Sequence, residues 1–108
     1  MTLLEAVRGR LAPLRLTEWA NEPTRPELPC VFYADFDDHV ELMILGSTQW
    51  DADQAAGSVF RLLNGWLPPR DVPRLRVAFA ESGLDDPSDW RSQTWFTLLR
   101  VEPKHYLA

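Results

Sequence analysis

The chain has 108 residues, 45% of them hydrophobic, which suits a single globular domain with a modest core. Its formal net charge of −5 repels phosphate, so sequence-specific binding of DNA or RNA is disfavoured without a local basic patch. A lone cysteine, Cys30, excludes an intrachain disulfide and a Cys cluster for zinc, and makes a reducing, cytoplasmic setting the simpler expectation.

At the N-terminus, MTLLEAVRGRL is too interrupted by charge for a signal peptide, and no apolar run approaches the roughly 20 residues that span a bilayer. No membrane association is expected. Thr2 and Glu5 have capping-box spacing, in which hydroxyl and carboxylate satisfy two backbone donors reciprocally. Leu3, Leu4, Val7 and Leu11 follow at helical spacing, which predicts a helix over 3–11 that stops at Ala12 and Pro13. Leu14 to Trp19 fits a brief strand. Pro23, Pro26 and Pro29 then fix φ at every third position, so residues 20–29 read as an extended, polyproline-like loop.

From Cys30 to Phe36, Phe32, Ala34 and Phe36 alternate with Val31, Tyr33 and Asp35, and Val40, Leu42 and Ile44 share one side of a second strand. Asp37, Asp38 and His39 between them are short enough for a hairpin. The period then changes. Ala52, Ala55, Ala56, Val59, Phe60, Leu63, Trp66 and Leu67 recur as one helix face. At the corner, Asp51 and Gln54 have the spacing of a reciprocal cap, while Asp53 in the first turn opposes the helix dipole. Asn64-Gly65 supplies a left-handed stop and Pro68-Pro69 prevents resumption. Gly57 inside this helix costs about 1 kcal/mol relative to Ala, which a close approach of helix to sheet would explain.

Leu75 to Ala80 alternates again, with Leu75, Val77 and Phe79 on one face and Arg76 opposite. ESGLDDPSDWRSQ reads as an acidic loop, and Trp95 to Val101 as a final strand ending before Pro103. The order α-β-β-β-α-β-β predicts one α+β domain over 1–108, an antiparallel or mixed sheet with two helices on one face.

Candidate chemistry is sparse. Cys30 with His39 or His105 is the one thiol dyad available, and nothing local to Cys30 lowers its pKa. His39 beside Asp37 and Asp38 could contribute to a metal site, but a divalent ion needs three or four converging ligands, and a tight hairpin tip is a common home for Asp and His without an ion. Glu81, Asp85, Asp86 and Asp89 lack the alternation and glycine of a calcium loop. No Gly-rich phosphate loop, serine elbow or HExxH occurs. The reading is therefore of a non-enzyme with no catalytic, cofactor-binding or metal-binding residues. Pro23, Pro26 and Pro29 also have the spacing of a ligand for proline-binding domains, although an ordered extended loop is the plainer account.

Five tryptophans are an excess in so short a chain. Trp66 and Trp95 fall on periodic positions, Trp90 lies in the acidic loop and Trp50 at the strand-to-helix corner. Loop tryptophans anchor partners because they bury large area with little entropy loss, so an interface is placed on Trp90 and Trp50, with Asp85, Asp86 and Asp89 beside them. Stapling of the helix start is a rival role for Trp50.

With a leading helix TLLEAVRGRL, a strand PCVFY after a proline loop, VELMILGSTQWDADQAAGSVFRLLNGWL, RLRVAFAES, an acid-rich loop and a closing WFTLLRVEP, the chain resembles the tail-terminator or tail-completion proteins of long-tailed bacteriophages. The resemblance covers nearly the whole chain and implies a non-enzymatic ring, commonly hexameric, that caps the tail tube and meets head-completion proteins. It carries over no residue-level site. An acidic ring wall would let a DNA duplex slide without sticking.

Two other functions compete. A small acidic immunity protein or antitoxin would cover a basic toxin with its carboxylates. FTLLRVEPKHY also resembles part of the flavin-binding split barrels, but no phosphate-gripping Arg/Lys cluster accompanies it. On the ring reading, Trp90→Ala is expected to reduce self-association, measured by light scattering, more than it lowers the melting temperature.

Overall fold

The computed structural model describes residues 2–19, 27–68, 73–85 and 94–103. Helix α1 (Leu3–Leu11) starts on a reciprocal cap: the Thr2 hydroxyl accepts from the Glu5 amide at 3.1 Å, and the Glu5 carboxylate accepts from the Thr2 amide at 3.4 Å. Ala6, Val7 and Leu11 point inward. One 3₁₀ turn, Ala12–Leu14, follows, with Pro13 in its first positions, where a missing N–H costs nothing. Leu14 to Trp19, expected as one brief strand, is therefore divided. Arg15 takes a left-handed backbone at φ 54°, and only Thr17–Glu18 (β1) is strand.

Strands β2 (Cys30–Asp35) and β3 (Val40–Gly46) form an antiparallel hairpin, with Phe32 opposite Met43 and Asp35 opposite Val40. Most of the proline loop lies outside the described residues. Helix α2 (Gln49–Leu63) crosses to β4 (Leu75–Leu84), which pairs antiparallel with β5 (Trp95–Pro103). The sheet order is β1-β2-β3-β5-β4, antiparallel except for the β1–β2 pair. The fold is α+β: among the described residues, two α-helices and a five-stranded mixed sheet form one domain.

Along α2 the buried residues are Ala52, Ala56, Val59 and Leu63, spaced to lie on one stripe. Ala56, Val59 and Leu63 meet Val31, Leu42, Ile44, Leu75, Val77, Leu99 and Val101 of the sheet, and Val7 and Leu11 of α1 join the same core. Each large aliphatic side chain fully buried there contributes about 1.5–3 kcal/mol. Arg8 lies over the Tyr33 ring at 5.0 Å on the margin of this core. Burial, with help from the Glu18 carboxylate and against the Arg8 charge, pushes the Tyr33 phenol up to about 12.

Close approach of helix and sheet occurs at Gly46, not at Gly57. A Cβ on Gly46 would stand 2.6 Å from the Ala52 nitrogen, whereas one on Gly57 would meet only the Arg61 guanidinium, at 3.6 Å. The helix stops at Asn64-Gly65, as the sequence indicates. Asn64 is extended rather than left-handed, and Gly65 takes the positive φ of 77°. Asn64 is drawn out because its side-chain oxygen accepts from the Val77 amide at 3.2 Å. The Gly65 amide donates to the Leu75 carbonyl and the Leu75 amide to the Trp66 carbonyl, both at 3.0 Å, which fixes the start of β4 against the helix end.

Strand β4 is longer than its alternation indicated. Residues 81–84, expected as the start of a loop, continue the ladder, and Leu84 pairs with Trp95. A bulge between Phe79 and Glu81 hides the continuation by breaking the two-residue period. Strand β5 likewise runs two residues past Val101, to Pro103 opposite Leu75. Phe79 keeps the helix side and stacks on Phe60 with centroids 5.3 Å apart. Among the described residues, no helix is long and apolar enough to cross a membrane.

Gly46→Ala is expected to destabilise the fold by about 1–3 kcal/mol, because the obstructing atoms are backbone and the helix must lift. Gly57→Ala should be neutral or stabilising by up to about 1 kcal/mol. Urea midpoints of the two variants, compared with the parent, check both signs.

Candidate functional site

The strand-to-helix corner concentrates polar side chains between β3 and α2. Its cap is Thr48, not Asp51: Thr48 is extended at φ −138° and ψ 162°, and its hydroxyl accepts from the Asp51 amide at 3.0 Å. The helix therefore begins at Gln49, earlier than its apolar stripe indicated, because Gln49 and Trp50 are helical without joining that stripe. The expected Asp51–Gln54 pair is not the cap. Asp51 instead accepts from the Ser47 hydroxyl at 2.8 Å, and Gln54 is exposed one turn on.

Asp53 has a role other than opposing the helix dipole. Its carboxylate accepts from the Thr97 hydroxyl at 2.6 Å and from the Gln49 side-chain amide at 3.0 Å. Gln49 also donates to Thr97 Oγ1 at 3.0 Å and to the Phe96 carbonyl at 3.2 Å. Thr97 is only 2% exposed, so its hydroxyl must be paired inside the protein. The three side chains pin the start of α2 to the start of β5. Asp51 and Asp53 thus face different neighbours and do not converge.

A groove of about 350 Å³ opens beside the corner, with Leu14, Leu16, Pro29 and Ala55 as apolar wall and Asp51, Gln54 and Ser58 as polar margin. Asp51 holds Ser47, and the Ser58 hydroxyl donates to the Gln54 carbonyl at 3.3 Å. Trp50 projects from the same helix turn and is 68% exposed, so it does not staple the helix start under cover.

The hairpin tip is organised by His39. Its ring stacks on Phe36 at 4.6 Å, Nδ1 meets Asp38 at 2.6 Å and Nε2 lies 3.4 Å from Glu41. The hydrogen bond to His39 holds the Asp38 carboxyl below its ordinary range. Buried Cys30 sits at the far end of β2 from this tip, about 17 Å away at the rise of a strand, so the two form no dyad. Among the described residues, no three His, Cys, Asp or Glu gather to hold a metal ion. His105, Asp86, Asp89 and Trp90 lie outside the described residues.

Sequence reasoning missed the other face of the sheet. Register places Phe32, Met43, Leu98 and Glu81 in one row across β2, β3, β5 and β4. The next row is Ala34, Glu41, Arg100 and Ala78, and beyond it Arg76 pairs with Glu102. That pairing holds the Glu102 carboxyl below its ordinary range. Phe32, Met43, Phe96 and Leu98 are only half-buried, and with Ala34, Glu41, Glu81 and Asp85 they line a groove of about 310 Å³. Asp85 is anchored: its amide donates to the Thr94 carbonyl at 2.8 Å and its carboxylate accepts from the Thr94 hydroxyl at 3.5 Å. The available signal was the pairing of apolar neighbours, Val31-Phe32, Met43-Ile44 and Leu98-Leu99, since a strand apolar on both sides needs cover on both.

No protein-family model matches the sequence, and no curated protein matches it either. Thr97→Val keeps the shape and removes the hydroxyl that joins Asp53 and Gln49, so a loss of about 1–3 kcal/mol is expected. Thermal unfolding, with hydrogen exchange at the first turn of α2, measures it.

Proposed function

We propose that the chain is a non-enzymatic assembly subunit of the kind it resembles, a phage tail terminator, which closes into a ring on the end of a tail tube and meets head-completion proteins. The observation that carries this reading is Trp50, a large apolar side chain 68% exposed on the first turn of a helix pinned to the sheet. A rigidly mounted, exposed tryptophan is the typical energetic centre of a protein contact.

A second surface complements it. Among the described strands β4 is at one end of the sheet, ten residues long, and Phe79 on it is 56% exposed. Edge strands of this length are templates for pairing unless covered. Trp50 on a helix and the edge of β4 are unlike surfaces, so joining one to the other gives a heterologous contact, and such contacts generate rings when the rotation closes. The resemblance sets the expected number at six. With a net charge of −5, subunits so arranged would surround a DNA duplex without holding its phosphates. The site of action would be the host cytoplasm during assembly and the virion thereafter.

Trp50→Ala is the test. The parent chain is expected to sediment as a multiple of one subunit, and the variant to shift towards a single subunit while losing no more than about 0.5 kcal/mol of stability. An unchanged mass in the variant, or a parent that stays monomeric on its tail-tube partner, would rule the reading out.

A further inference from the structure

The sheet face opposite the helices has a composition that neither the core nor the ring contact explains. Phe32, with the Trp19 ring tilted against it at 5.7 Å between centroids, forms an apolar floor with Met43, Phe96 and Leu98, and among the described residues the charged ones that line it, Glu41, Glu81 and Asp85, are acidic. The bulge at Phe79 and Glu81 creates this rim. Uninterrupted alternation from Leu75 would place Glu81 on the helix side, where an uncompensated carboxylate is costly; the extra residue sends it to the groove instead, opposite Leu98.

We propose that this face binds a helical segment of a partner protein, apolar along one stripe and carrying Lys or Arg at the margins of that stripe. Charge complementarity selects the partner: an apolar floor anchors the stripe, and the acidic lining of Glu41, Glu81 and Asp85 favours cations over acidic segments, while Arg100 in the next row is paired with Glu102. The dimensions agree. Four strands from Phe32 to Glu81 span about 14 Å, against roughly 10 Å for a helix with its side chains. A helix there would complete a three-layer arrangement, the usual way to cover a sheet that is apolar on both faces. A second copy of this chain fits poorly. Helices α1 and α2 already spend their apolar stripes on the core, so among the described residues a second copy has no free amphipathic helix to lay on this face.

The proposal extends the assembly reading by naming the chemistry of a partner, and it is tested separately from ring closure. Two fluorescein-labelled 14-residue helical peptides share one Leu/Phe stripe, with Lys on the margins of one and Glu on those of the other. Fluorescence anisotropy is read with the full-length parent chain and with two charge reversals: Glu81→Lys, at the groove, and Asp37→Lys, at the exposed hairpin tip. The basic peptide is expected to bind, more weakly as salt rises, and the acidic peptide to bind at least about tenfold less well. Glu81→Lys should weaken the basic peptide about fivefold or more, and Asp37→Lys less than about twofold. Equal losses from both reversals would reduce the effect to net charge and overturn the proposal. So would failure of the basic peptide to bind the parent, or a change of solution mass in Glu81→Lys with peptide affinity unaltered, which would assign the face to self-contact. Solution mass of the same samples decides the ring independently: a monomer that binds the basic peptide removes the ring and keeps the groove, and a ring that ignores the peptide does the reverse.

Discussion

Helix α2 lies on the sheet at the distance allowed by the contact between Gly46 and the Ala52 backbone. A side chain at residue 46 would push the helix outward, and the small residues Ala52 and Ala56 beneath it would then face a gap instead of β3 and β5. The rest of the architecture follows from this approach. Thr48, two residues beyond the strand, is placed to cap the helix, and Gln49 and Asp53 come within reach of Thr97. With the buried stripe fixed by packing and the first turn fixed by hydrogen bonds, Trp50 has no way inward and stands in solvent.

The polar groups at this corner illustrate how an acidic chain distributes its carboxylates. Asp53 is bound to a buried hydroxyl and a side-chain amide, Asp51 to Ser47, and Glu102 to Arg76. These carboxylates order the backbone and the sheet surface. Glu81 is differently placed: the bulge turns it onto the opposite face, beside an apolar floor. Carboxylates thus have two physical uses, separated by whether a donor among the described residues is in reach.

Two faces of one sheet also have different fates. The helix side, Val31, Leu42, Ile44, Leu99 and Val101, is fully buried against α1 and α2. The other side, past the fully buried Cys30 and Leu45, divides into an apolar half, Phe32, Met43 and Leu98, and a charged half, Arg76, Arg100 and Glu102, joined by ion pairs. The charged half keeps that part of the surface in water, and the apolar half is the area that the proposed partner helix would cover.

Much of this was written in local pattern. The first helix and its Thr2–Glu5 cap, the hairpin at 37–39, the switch from period two to period 3.6 and the α+β order all follow from neighbours within a few residues, because caps, turns and amphipathic stripes are local physics. The sequence also marked Trp50 as unexplained by the core. It misplaced the second cap, since Thr48 and Asp51 both satisfy the cap chemistry and only the path of the chain leaving Gly46 chooses between them. The bulge in β4, the bond from Asp53 to Thr97 and the acidic groove on the open face belong to tertiary structure alone. Each depends on residues brought together from distant parts of the chain, and the energies that decide them, backbone contact, buried hydrogen bonds and the side on which a charge emerges, exist only once the strands have paired.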